Sequence, residues 1–414
     1  MRTIGARTGV PLGLAPARCL PFRLKPHGKE IALNAQSAAA LRVAVIGAGV
    51  MGAMAAWRLA RRGVSVTLFE QYAPAHDRGA AGGDTRIFRV ACKEGASHVP
   101  LIRAALPLWR ELEAVSNRSL LNQTGVASIG VAEHESMRST LATARAFDLP
   151  LEVLGGSEAA RRYPQFHIGK QECLYLDPEG GVIRADHAVL AAVAQAQAHG
   201  AELRAGTTVQ ALEPDGQGVT VHAEGAPERY THVIAAPGGW GSGLAALSAQ
   251  PLIPRRIALS WFAAPDMAPF SGERALVMMR VFPDGYFNCF PSTDGATLKG
   301  SCNAGGWPAV QNPDALPRDL PAAEMVRLRI AAAQSLCGIY PDPVRTGIYM
   351  DAFTPDGEGL LGALDPARRL IVACGFSGHG FKFAPAIGEA AARLVLEGQA
   401  GLPVAHLDPT RYQH

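Results

Sequence analysis

One glycine-rich stretch, forty residues into the chain, constrains the fold more than any other feature. Residues 41–46, LRVAVI, form a β-branched run, GAGVMG follows at once, and AMAAWRLARRG continues with helix-forming residues until Gly63. This order predicts a strand, a tight turn and a helix. Gly47, Gly49 and Gly52 have the GxGxxG spacing: the first glycine permits the turn, the second lets backbone approach a pyrophosphate, and the third lets helix and strand pack closely.

The residues after the helix favour a dinucleotide-binding role for this turn. The run VSVTLFE predicts a second strand ending in Glu70, 18 residues beyond Gly52, where an acid suits the hydroxyl pair of a ribose and disfavours the 2′-phosphate of NADP. Val50 and Met51 open the helix, whose free N–H groups would face the phosphates, and Gln71 follows the acid. The turn alone does not separate FAD from NAD, and a glycine-rich structural turn is the competing interpretation.

Length and composition bound what the rest of the chain can form. A chain of 414 residues, 48% hydrophobic and 18% charged, can bury a large core, and at roughly 150 residues per domain it predicts two or three domains, of which two interleaved ones fit best. Residues 1–40 carry six basic residues and one acidic residue, a net charge of +5. Because the whole chain carries +3, the remaining residues carry −2, which excludes a nucleic-acid-binding surface on that part of the protein. No apolar run reaches the roughly 18 residues that a membrane span needs.

Residues 1–40 form a basic extension rich in proline and glycine. We expect a disordered arm, or residues upstream of the true start, and a transit-like targeting segment is the alternative. The seven cysteines show neither CxxC pairing nor regular spacing. This pattern argues against a disulfide framework or a structural zinc site and favours a reducing compartment such as the cytoplasm.

Five segments occur in an order that is typical of one enzyme family. They are GAGVMG at 47–52, GDTRIFR at 83–89, APGGWGS at 236–242, FPSTDGATLKG at 290–300 and CGFSGHGFKFAPAIGE at 374–389. Together they resemble the FAD-dependent amine oxidoreductases typified by monomeric sarcosine oxidase and N-methyltryptophan oxidase, within the D-amino-acid oxidase superfamily. The resemblance covers about residues 41–400, and GFSGHGFKF is its most specific motif.

The resemblance implies an α/β fold, in which a Rossmann-like FAD-binding domain carries an inserted substrate domain of mixed sheet plus helices. The pattern agrees: alternation around 201–225 predicts strands split by a turn at Asp215 and Gly216, THVIAAPGG predicts a buried strand, and 384–397 predicts a helix. The expected division is residues 41–100, 185–245 and 345–400 for the FAD-binding domain, 101–184 and 246–344 for the substrate domain, and 401–414 for a C-terminal tail.

Two arginines in GDTRIFR are expected to serve the cofactor and the substrate. Their spacing of three, with apolar residues between them, predicts a buried helical turn that carries Arg86 and Arg89 on one side. The resemblance implies that Arg86 lies over the flavin ring, near its reactive edge, and that Arg89 binds the substrate carboxylate. Asp84 and Thr85 are expected cofactor contacts, and surface arginines on a loop are the competing interpretation.

Lys382, between Phe381 and Phe383, is the expected partner of Arg89. A lysine here is either a stem on apolar surface with a solvated head or a buried cation awaiting an anion, and the resemblance favours the anion. Arg89 and Lys382 would then clamp an α-carboxylate through charge-assisted hydrogen bonds and fix the amine end over the flavin. The substrate would accordingly be an amino acid rather than a simple amine.

Lys299, in ATLKGSC, is the expected catalytic residue beside Arg86. The resemblance implies that this lysine lies near the flavin and promotes the reaction of reduced flavin with oxygen, because a preplaced cation in a dry site stabilises the anion that forms. A solvated lysine at a strand end is the competing interpretation.

The loop GFSGHGFK and several separate positions complete the expected cofactor contacts. Gly375, Gly378 and Gly380 would let backbone approach a flat ring, and the helix after the loop would aim its N-terminal end at the flavin carbonyl edge. His379 is assigned a cofactor contact rather than an acid–base role. The remaining expected contacts are Val209, Gly238, Trp240, Gly347, Ser377 and Lys382.

The sequence departs from the family pattern at two places. Many relatives attach flavin through a cysteine, and Gly347 occupies the matching position here, so non-covalent FAD is expected, with Cys337 as the alternative attachment point. Asn288 and Asn303 stand where relatives often have aromatic or histidine groups. They are candidate substrate-binding residues, or they satisfy buried backbone groups. The identity of the substrate therefore does not carry over.

The predicted reaction is oxidation of a secondary or N-methyl amino acid, sarcosine-like, with hydride transfer to FAD, hydrolysis of the released imine and reoxidation by molecular oxygen to hydrogen peroxide. A dehydrogenase of the same fold with another electron acceptor and a catalytically quiet FAD-binding protein are the alternatives. No metal ion is expected to take part. The expected partners are an amino-acid substrate and oxygen, in a monomer that binds neither nucleic acid nor membrane.

Overall fold

A computed structural model describes residues 40–272 and 275–412 of the chain. Residues 1–39, on which the expectation of a disordered or targeting extension falls, lie outside the described ranges. The last two residues of the expected C-terminal tail also lie outside them. In the described ranges the strands are β1 (Arg42–Ile46), β2 (Ser65–Glu70), β3 (Thr85–Phe88), β4 (Leu121–Asn122), β5 (Val126–Gly130), β6 (Glu152–Gly155), β7 (Cys173–Asp177), β8 (Gly181–Arg184), β9 (Glu202–Ala205), β10 (Ala211–Pro214), β11 (Val219–His222), β12 (Glu228–Tyr230), β13 (His232–Ala235), β14 (Ile253–Phe262), β15 (Val277–Phe282), β16 (Gly285–Phe290), β17 (Leu298–Cys302), β18 (Arg345–Phe353), β19 (Leu360–Ala363) and β20 (Leu370–Cys374). The α-helices are α1 (Val50–Ala60), α2 (Val99–Ser116), α3 (Glu135–Ala146), α4 (Gly156–Arg162), α5 (Ala185–Ala198), α6 (Ala322–Ser335) and α7 (Ala384–Glu397).

A six-stranded sheet forms the Rossmann-like half of the molecule. Its spatial order is β19-β20-β13-β1-β2-β9, and every neighbouring pair is parallel except β19 and β20. Strands β1, β13 and β20 are short, apolar and buried, as parallel strands covered on both faces must be. Because β13 and β20 come far later in the chain than β1, the sheet is assembled from separated stretches.

Helices α1, α5 and α7 pack together against this sheet, and small side chains allow their close approach. Alanines dominate the contact, and a Cβ added at Gly388 of α7 would lie 2.5 Å from the Cβ of Met54 in α1. Trp57 fills the centre of the layer with no exposed surface. The predicted helix over 384–397 is confirmed as α7.

An eight-stranded sheet forms the other half. Its order is β18-β14-β17-β16-β15-β5-β7-β6, antiparallel throughout except for the parallel pair β5 and β15. Helix α6 packs on β16 and β17, with Leu328 and Ala332 buried against Phe262 and Phe287. Strand β18 belongs to this sheet, although its sequence position falls in the segment 345–400 that we expected in the FAD-binding domain.

Two small sheets complete the architecture. Strands β3, β8 and β4 form one of them, in which the GDTRIFR segment, as β3, pairs with β8. Strands β10 to β12 form the other, and the predicted turn at Asp215 and Gly216 joins β10 to β11. None of the helices in the described ranges is long and apolar enough to cross a membrane.

Candidate active site

The glycine turn after β1 opens a cavity of about 340 Å³ at the carboxyl ends of the parallel strands. Gly47 has φ +95°, and a Cβ on it would lie 2.5 Å from the carbonyl oxygen of Ala236. A Cβ on Gly52 would lie 1.9 Å from the carbonyl oxygen of Gly47, whereas a Cβ on Gly49 would meet no described atom within 4 Å. The first and third glycines are thus needed for packing, and the second leaves room for a ligand beside the helix N-terminus.

Glu70 lies at the end of β2 on the wall of the same cavity, and its side chain is 5% exposed. One carboxylate oxygen accepts from the backbone N–H of Ala48 at 2.9 Å, and the other accepts from that of Tyr72 at 3.0 Å. These two bonds fix the carboxylate where it can accept further bonds from ribose hydroxyls.

The cavity brings together most of the residues predicted to contact the cofactor. Those that line it are Gly47, Gly49, Val50, Met51, Glu70, Gln71, Arg86, Val209, Gly238, Trp240, Gly375, Gly378 and Gly380. A long cleft with a glycine turn, a helix N-terminus and a ribose-type acid has the donors and the shape that FAD needs.

Besides Gly52, which packs the turn, four other predicted contacts lie outside the linings of both cavities. Asp84 accepts from the indole of Trp261 at 2.8 Å and from Arg345 at 3.0 Å, and it lines neither this cavity nor the one described next. The other three are likewise outside both linings: Thr85, Ser377 and Gly347.

A second cavity, of about 130 Å³, adjoins the first. The residues that line both cavities are Ala80, Arg86, Asp351, Gly378 and Phe381. Four further residues that the sequence singled out also line the second cavity, namely Arg89, Lys299, His379 and Lys382. Cofactor and substrate sites would therefore meet at Arg86.

Arg86 and Lys299 form a cationic corner where the two cavities meet. Arg86 donates to the carbonyls of Thr85, Ala80 and Gly82 at 2.5–2.6 Å, and Lys299 donates to those of Gly83 and Thr85 at 2.9 and 2.5 Å. Burial, with the nearby charge of Arg86, holds the pKa of Lys299 well below its usual value, and burial also lowers the pKa of Arg86. Negative charge that develops beside these two groups would favour their protonated forms and would in turn be stabilised by them.

Arg89 and Lys382 meet on a carboxylate that belongs to the chain itself, Glu94. Arg89 donates to one oxygen of Glu94, and the Lys382 ammonium lies 3.8 Å from the other. Burial opposes ionisation of Glu94, but Arg89 and Lys382 outweigh it and lower its pKa well below the usual value. Lys382 is 3% exposed and also donates to the carbonyl of His379 at 2.7 Å. The two predicted clamp residues thus lie close enough to hold one carboxylate.

The two asparagines separate into different roles. Asn303 accepts from the backbone N–H of Tyr286 at 2.9 Å and is outside the second cavity, so it satisfies backbone as the competing interpretation had it. Asn288 lines the second cavity, and its side-chain oxygen is buried without a hydrogen-bond partner among the described residues. An unpaired buried acceptor in a cavity suits a donor on a ligand.

The helical turn predicted for GDTRIFR is wrong. Residues Thr85–Phe88 form strand β3, which pairs with β8 from Thr85 opposite Arg184 to Phe88 opposite Gly181. The spacing of three therefore does not place Arg86 and Arg89 on one helix face. They approach the same cavity because β3 ends at Phe88 and the chain turns there.

Gly347, which stands where many relatives attach flavin through a cysteine, lies outside both cavity linings. Gly347 lies in β18 opposite Leu259, while Tyr349 and Asp351, two and four residues further along the same face, reach the second cavity. The described residues near the cofactor cavity at this strand are thus a phenol and a carboxyl. Burial raises the pKa of both groups.

Sequence reasoning missed several residues of the second cavity. Glu94 and Lys93 follow GDTRIFR by five and four residues, and the Lys93 ammonium lies 3.9 Å from the centre of the Tyr286 ring. Burial lowers the pKa of Lys93 to about 8. The only signal in the sequence was the charged pair itself, KE, beside a motif that already held two arginines.

Comparison with known proteins agrees with this geometry. Residues 42–394 match the family model of the FAD dependent oxidoreductases, named DAO, and the chain belongs to that family. It is accordingly an FAD-dependent oxidoreductase that acts on CH–NH donors. The sequence prediction of the family is confirmed.

Individual relatives are similar over nearly the whole chain. A monomeric sarcosine oxidase from Streptomyces avermitilis is 31% identical over 375 residues, 89% of this chain and 97% of the relative. An N-methyl-L-tryptophan oxidase from Yersinia pestis is 26% identical, with coverage of 89% and 98%.

Solved structures confirm the predicted fold. NikD, described as an unusual amino acid oxidase essential for nikkomycin biosynthesis, matches with TM-score 0.79 and 25% identity over 89% of this chain and 97% of its own. Glycine oxidase from Geobacillus kaustophilus matches with TM-score 0.74 at 22% identity, over 90% and 98%, and its likeness shows the fold alone.

Proposed function

We propose that the protein is an oxidase of small secondary or N-methyl amino acids that passes electrons to molecular oxygen and forms hydrogen peroxide. The observation that carries the proposal is the meeting of Arg89 and Lys382 on one carboxylate, in a cavity that shares a wall with the dinucleotide cleft. The named activities of the sarcosine and N-methyltryptophan oxidases among its relatives support the same substrate class.

The carboxylate of the substrate would take the place of Glu94 between the two cations. Both cations are buried, at 6% exposure for Arg89 and 3% for Lys382, so an unpaired state would be costly and some anion must stay between them. A substrate carboxylate can replace Glu94 without leaving either cation unpaired. A simple amine cannot, which favours amino acids.

The nitrogen end of the substrate would lie towards Asn288. Its side-chain oxygen is free to accept a hydrogen bond from a substrate N–H, because it has no partner within the described ranges. Carboxylate and nitrogen would then be held at two points, which orients the C–H bond between them towards the shared wall of the cavities.

FAD, when bound, supplies the acceptor for two electrons from the C–H bond beside the nitrogen. The chain's own residues bind the carboxylate, orient the amine and exclude water from a cavity with aromatic walls at Tyr286, Phe290 and Phe381. Arg86 and Lys299 would stabilise negative charge on the cofactor side and during oxygen reduction. The imine product hydrolyses in water after release.

Removal of one cation tests the proposed clamp. In Arg89→Met we expect KM for the amino-acid substrate to rise about 100-fold, in line with the loss of a charge-assisted hydrogen bond to an ionised group, with a smaller effect on kcat. Turnover is followed by peroxide release across a panel of N-methyl, cyclic and D-amino acids. The matched control is Arg162→Met, at a surface position paired with Glu152, which should leave KM unchanged.

Two outcomes of that experiment would contradict the proposal. An unchanged KM in Arg89→Met would show that Arg89 does not bind the carboxylate. Flavin reduction by amino acids without peroxide release would favour a dehydrogenase with another acceptor.

A further inference from the structure

Two histidines and a glutamate meet outside the linings of both cavities. His98 precedes α2, Glu358 lies in the turn between β18 and β19, and His406 lies in the C-terminal segment. Their ligand-type atoms all lie within 4.8 Å of one another, and within residues 40–272 and 275–412 this is the one such group of three His, Cys, Asp or Glu side chains. The fold, not the local sequence, brings them together.

The distances suit a shared cation. Nε2 of His98 lies 3.1 Å from Oε2 of Glu358, and Nε2 of His406 lies 3.9 Å from the same oxygen. Ligands bonded to zinc at about 2.0–2.2 Å in a tetrahedral arrangement are roughly 3.3 Å apart. The observed separations bracket this value, so small side-chain rotations would complete the geometry.

The three facing atoms have one another as polar neighbours. Nε2 of His98, Oε2 of Glu358 and Nε2 of His406 are all buried, and beyond the contacts among themselves none makes a hydrogen bond within the part of the chain that the structure describes. The His98 side chain is 1% exposed, so water does not reach it freely. One carboxylate oxygen facing two buried imidazole nitrogens satisfies this group only in part, and a single cation would satisfy all three atoms.

The surrounding contacts hold the ligands in place before any ion binds. Nδ1 of His98 lies 3.4 Å from the hydroxyl of Ser97, which can fix the ring orientation as outer-shell groups do for metal-binding imidazoles. The His98 ring also stacks on Phe383 at 5.6 Å. On the other side, Arg411 ties the segment of His406 to the turn of Glu358, with a 2.8 Å bond to Asp356.

We propose that His98, Glu358 and His406 bind one divalent cation of the zinc type. Two imidazoles and a carboxylate, without sulfur, are a donor set that Zn²⁺ and similar borderline ions accept. The Glu358 and His406 side chains are about a quarter exposed, so a water molecule would enter as the fourth ligand from their side. The ion would cross-link the start of α2, the turn after β18 and the C-terminal segment, and so stabilise the fold away from the redox chemistry.

Calorimetric titration tests the site directly. Full-length, FAD-loaded protein is treated with a chelator, desalted and titrated with zinc chloride. We expect one ion per chain and a rise in Tm of roughly 3–6 °C at a zinc concentration 100 times Kd. His406→Gln and Glu358→Gln should each weaken zinc binding more than about 100-fold, because loss of a direct ligand exceeds the 10–100-fold typical of outer-shell changes.

Two controls separate this site from other zinc binding. His199→Gln removes an exposed histidine outside the group and should leave the titration unchanged. The flavin absorbance spectrum reports whether each variant is folded. X-ray absorption at the zinc edge of the loaded protein should show nitrogen and oxygen neighbours with imidazole scattering and no sulfur.

The outcomes of the zinc titration distinguish a specific site from nonspecific binding. One ion per chain, lost in both ligand variants and kept in His199→Gln, supports the site. Binding well below one ion per chain, equal binding in folded His406→Gln and Glu358→Gln, or a zinc–sulfur signal would overturn it. None of these outcomes depends on amine oxidation, so the proposed function is tested separately.

Discussion

At the scale of single residues, buried charge is the feature on which the chemistry depends. Lys299 is 3% exposed, and its ammonium donates to the carbonyls of Gly83 and Thr85 and lies 3.9 Å from the centre of the Phe290 ring, all of them neutral groups. Carbonyl dipoles offset only part of the cost of burying this charge, and the low pKa of Lys299 reflects the remainder. The group is therefore poised to gain most from an anion that forms beside it.

Replacement of Lys299 by methionine isolates that gain. Lys299→Met keeps the length and removes the charge, so we expect reoxidation of the reduced enzyme by oxygen to slow by about 10²-fold, while reduction by substrate under nitrogen changes little. Stopped-flow absorbance of the flavin measures both half-reactions. The control Lys170→Met alters an exposed lysine and should change neither. Equal reoxidation rates in Lys299→Met and the parent would remove the role.

The charged residues of the site were visible in the sequence only where a motif flanked them. Arg86, Arg89 and Lys299 stand in such motifs, and the structure places all three in the cavities. Glu94 was invisible, because a glutamate five residues after an arginine has no periodic relation to it. Glu94 becomes the common partner of Arg89 and Lys382 only because the chain turns after β3 and the loop that carries His379 approaches it.

At the scale of elements, the turn between β1 and α1 depends on two glycines for different reasons. The Cβ of any residue at position 52 would overlap the carbonyl oxygen of Gly47, whereas position 49 faces open space in the described structure. Position 52 is therefore limited by packing within the turn, and position 49 by the approach of a ligand. Single substitutions at the two positions can distinguish these effects.

We expect Gly52→Ala and Gly49→Ala to fail in different ways. Gly52→Ala overpacks the turn at a cost of about 1–3 kcal/mol, so its Tm with saturating FAD should fall by several degrees. Gly49→Ala should keep its apoprotein fold but bind FAD more weakly, because the methyl group fills the approach to the pyrophosphate. Tm by circular dichroism and Kd by flavin fluorescence check the pair. A Gly52→Ala protein as stable as the parent would contradict the argument.

Local sequence patterns correctly predicted the secondary-structure elements whose conformation is decided by nearby residues. The strand–turn–helix at 41–63 and the helix at 384–397 follow from apolar periodicity and glycine positions, and both are present. The segment GDTRIFR has only seven residues and no periodicity, so pairing with β8 decides its conformation. Strand β18 likewise joins the eight-stranded sheet through long-range pairing with β14, which spacing in the sequence cannot reveal.

At the scale of the whole molecule, the cofactor cavity lies where the two large sheets meet. Strand β18 of the eight-stranded sheet supplies Asp351, while the ends of β1, β2 and β20 supply the opposite wall. Among the described residues that line this cavity, the thiol is that of Cys374, and Cys337 is not among them. Burial raises the pKa of Cys374 to about 12, so its thiolate is not formed near neutral pH.

This arrangement leads us to expect FAD held without a covalent bond. When the purified protein is precipitated with acid, the yellow colour should stay in the supernatant, and the released compound should have the mass of free FAD. The precipitate of a relative with covalent flavin serves as the positive control. A yellow pellet, with a flavin-modified peptide in its digest, would show attachment after all.

The central claim is that bound FAD lies beside a cation pair that grips a carboxylate, and a ligand titration tests it most directly. Acetate, added to the FAD-loaded protein, should perturb the flavin absorbance in a saturable way, while acetamide, its neutral counterpart, should not. Arg89→Met should abolish the acetate response, and Glu94→Gln should strengthen it by removing the competing carboxylate. A protein that stays colourless with excess FAD, or that responds equally to acetate and acetamide, would contradict the account.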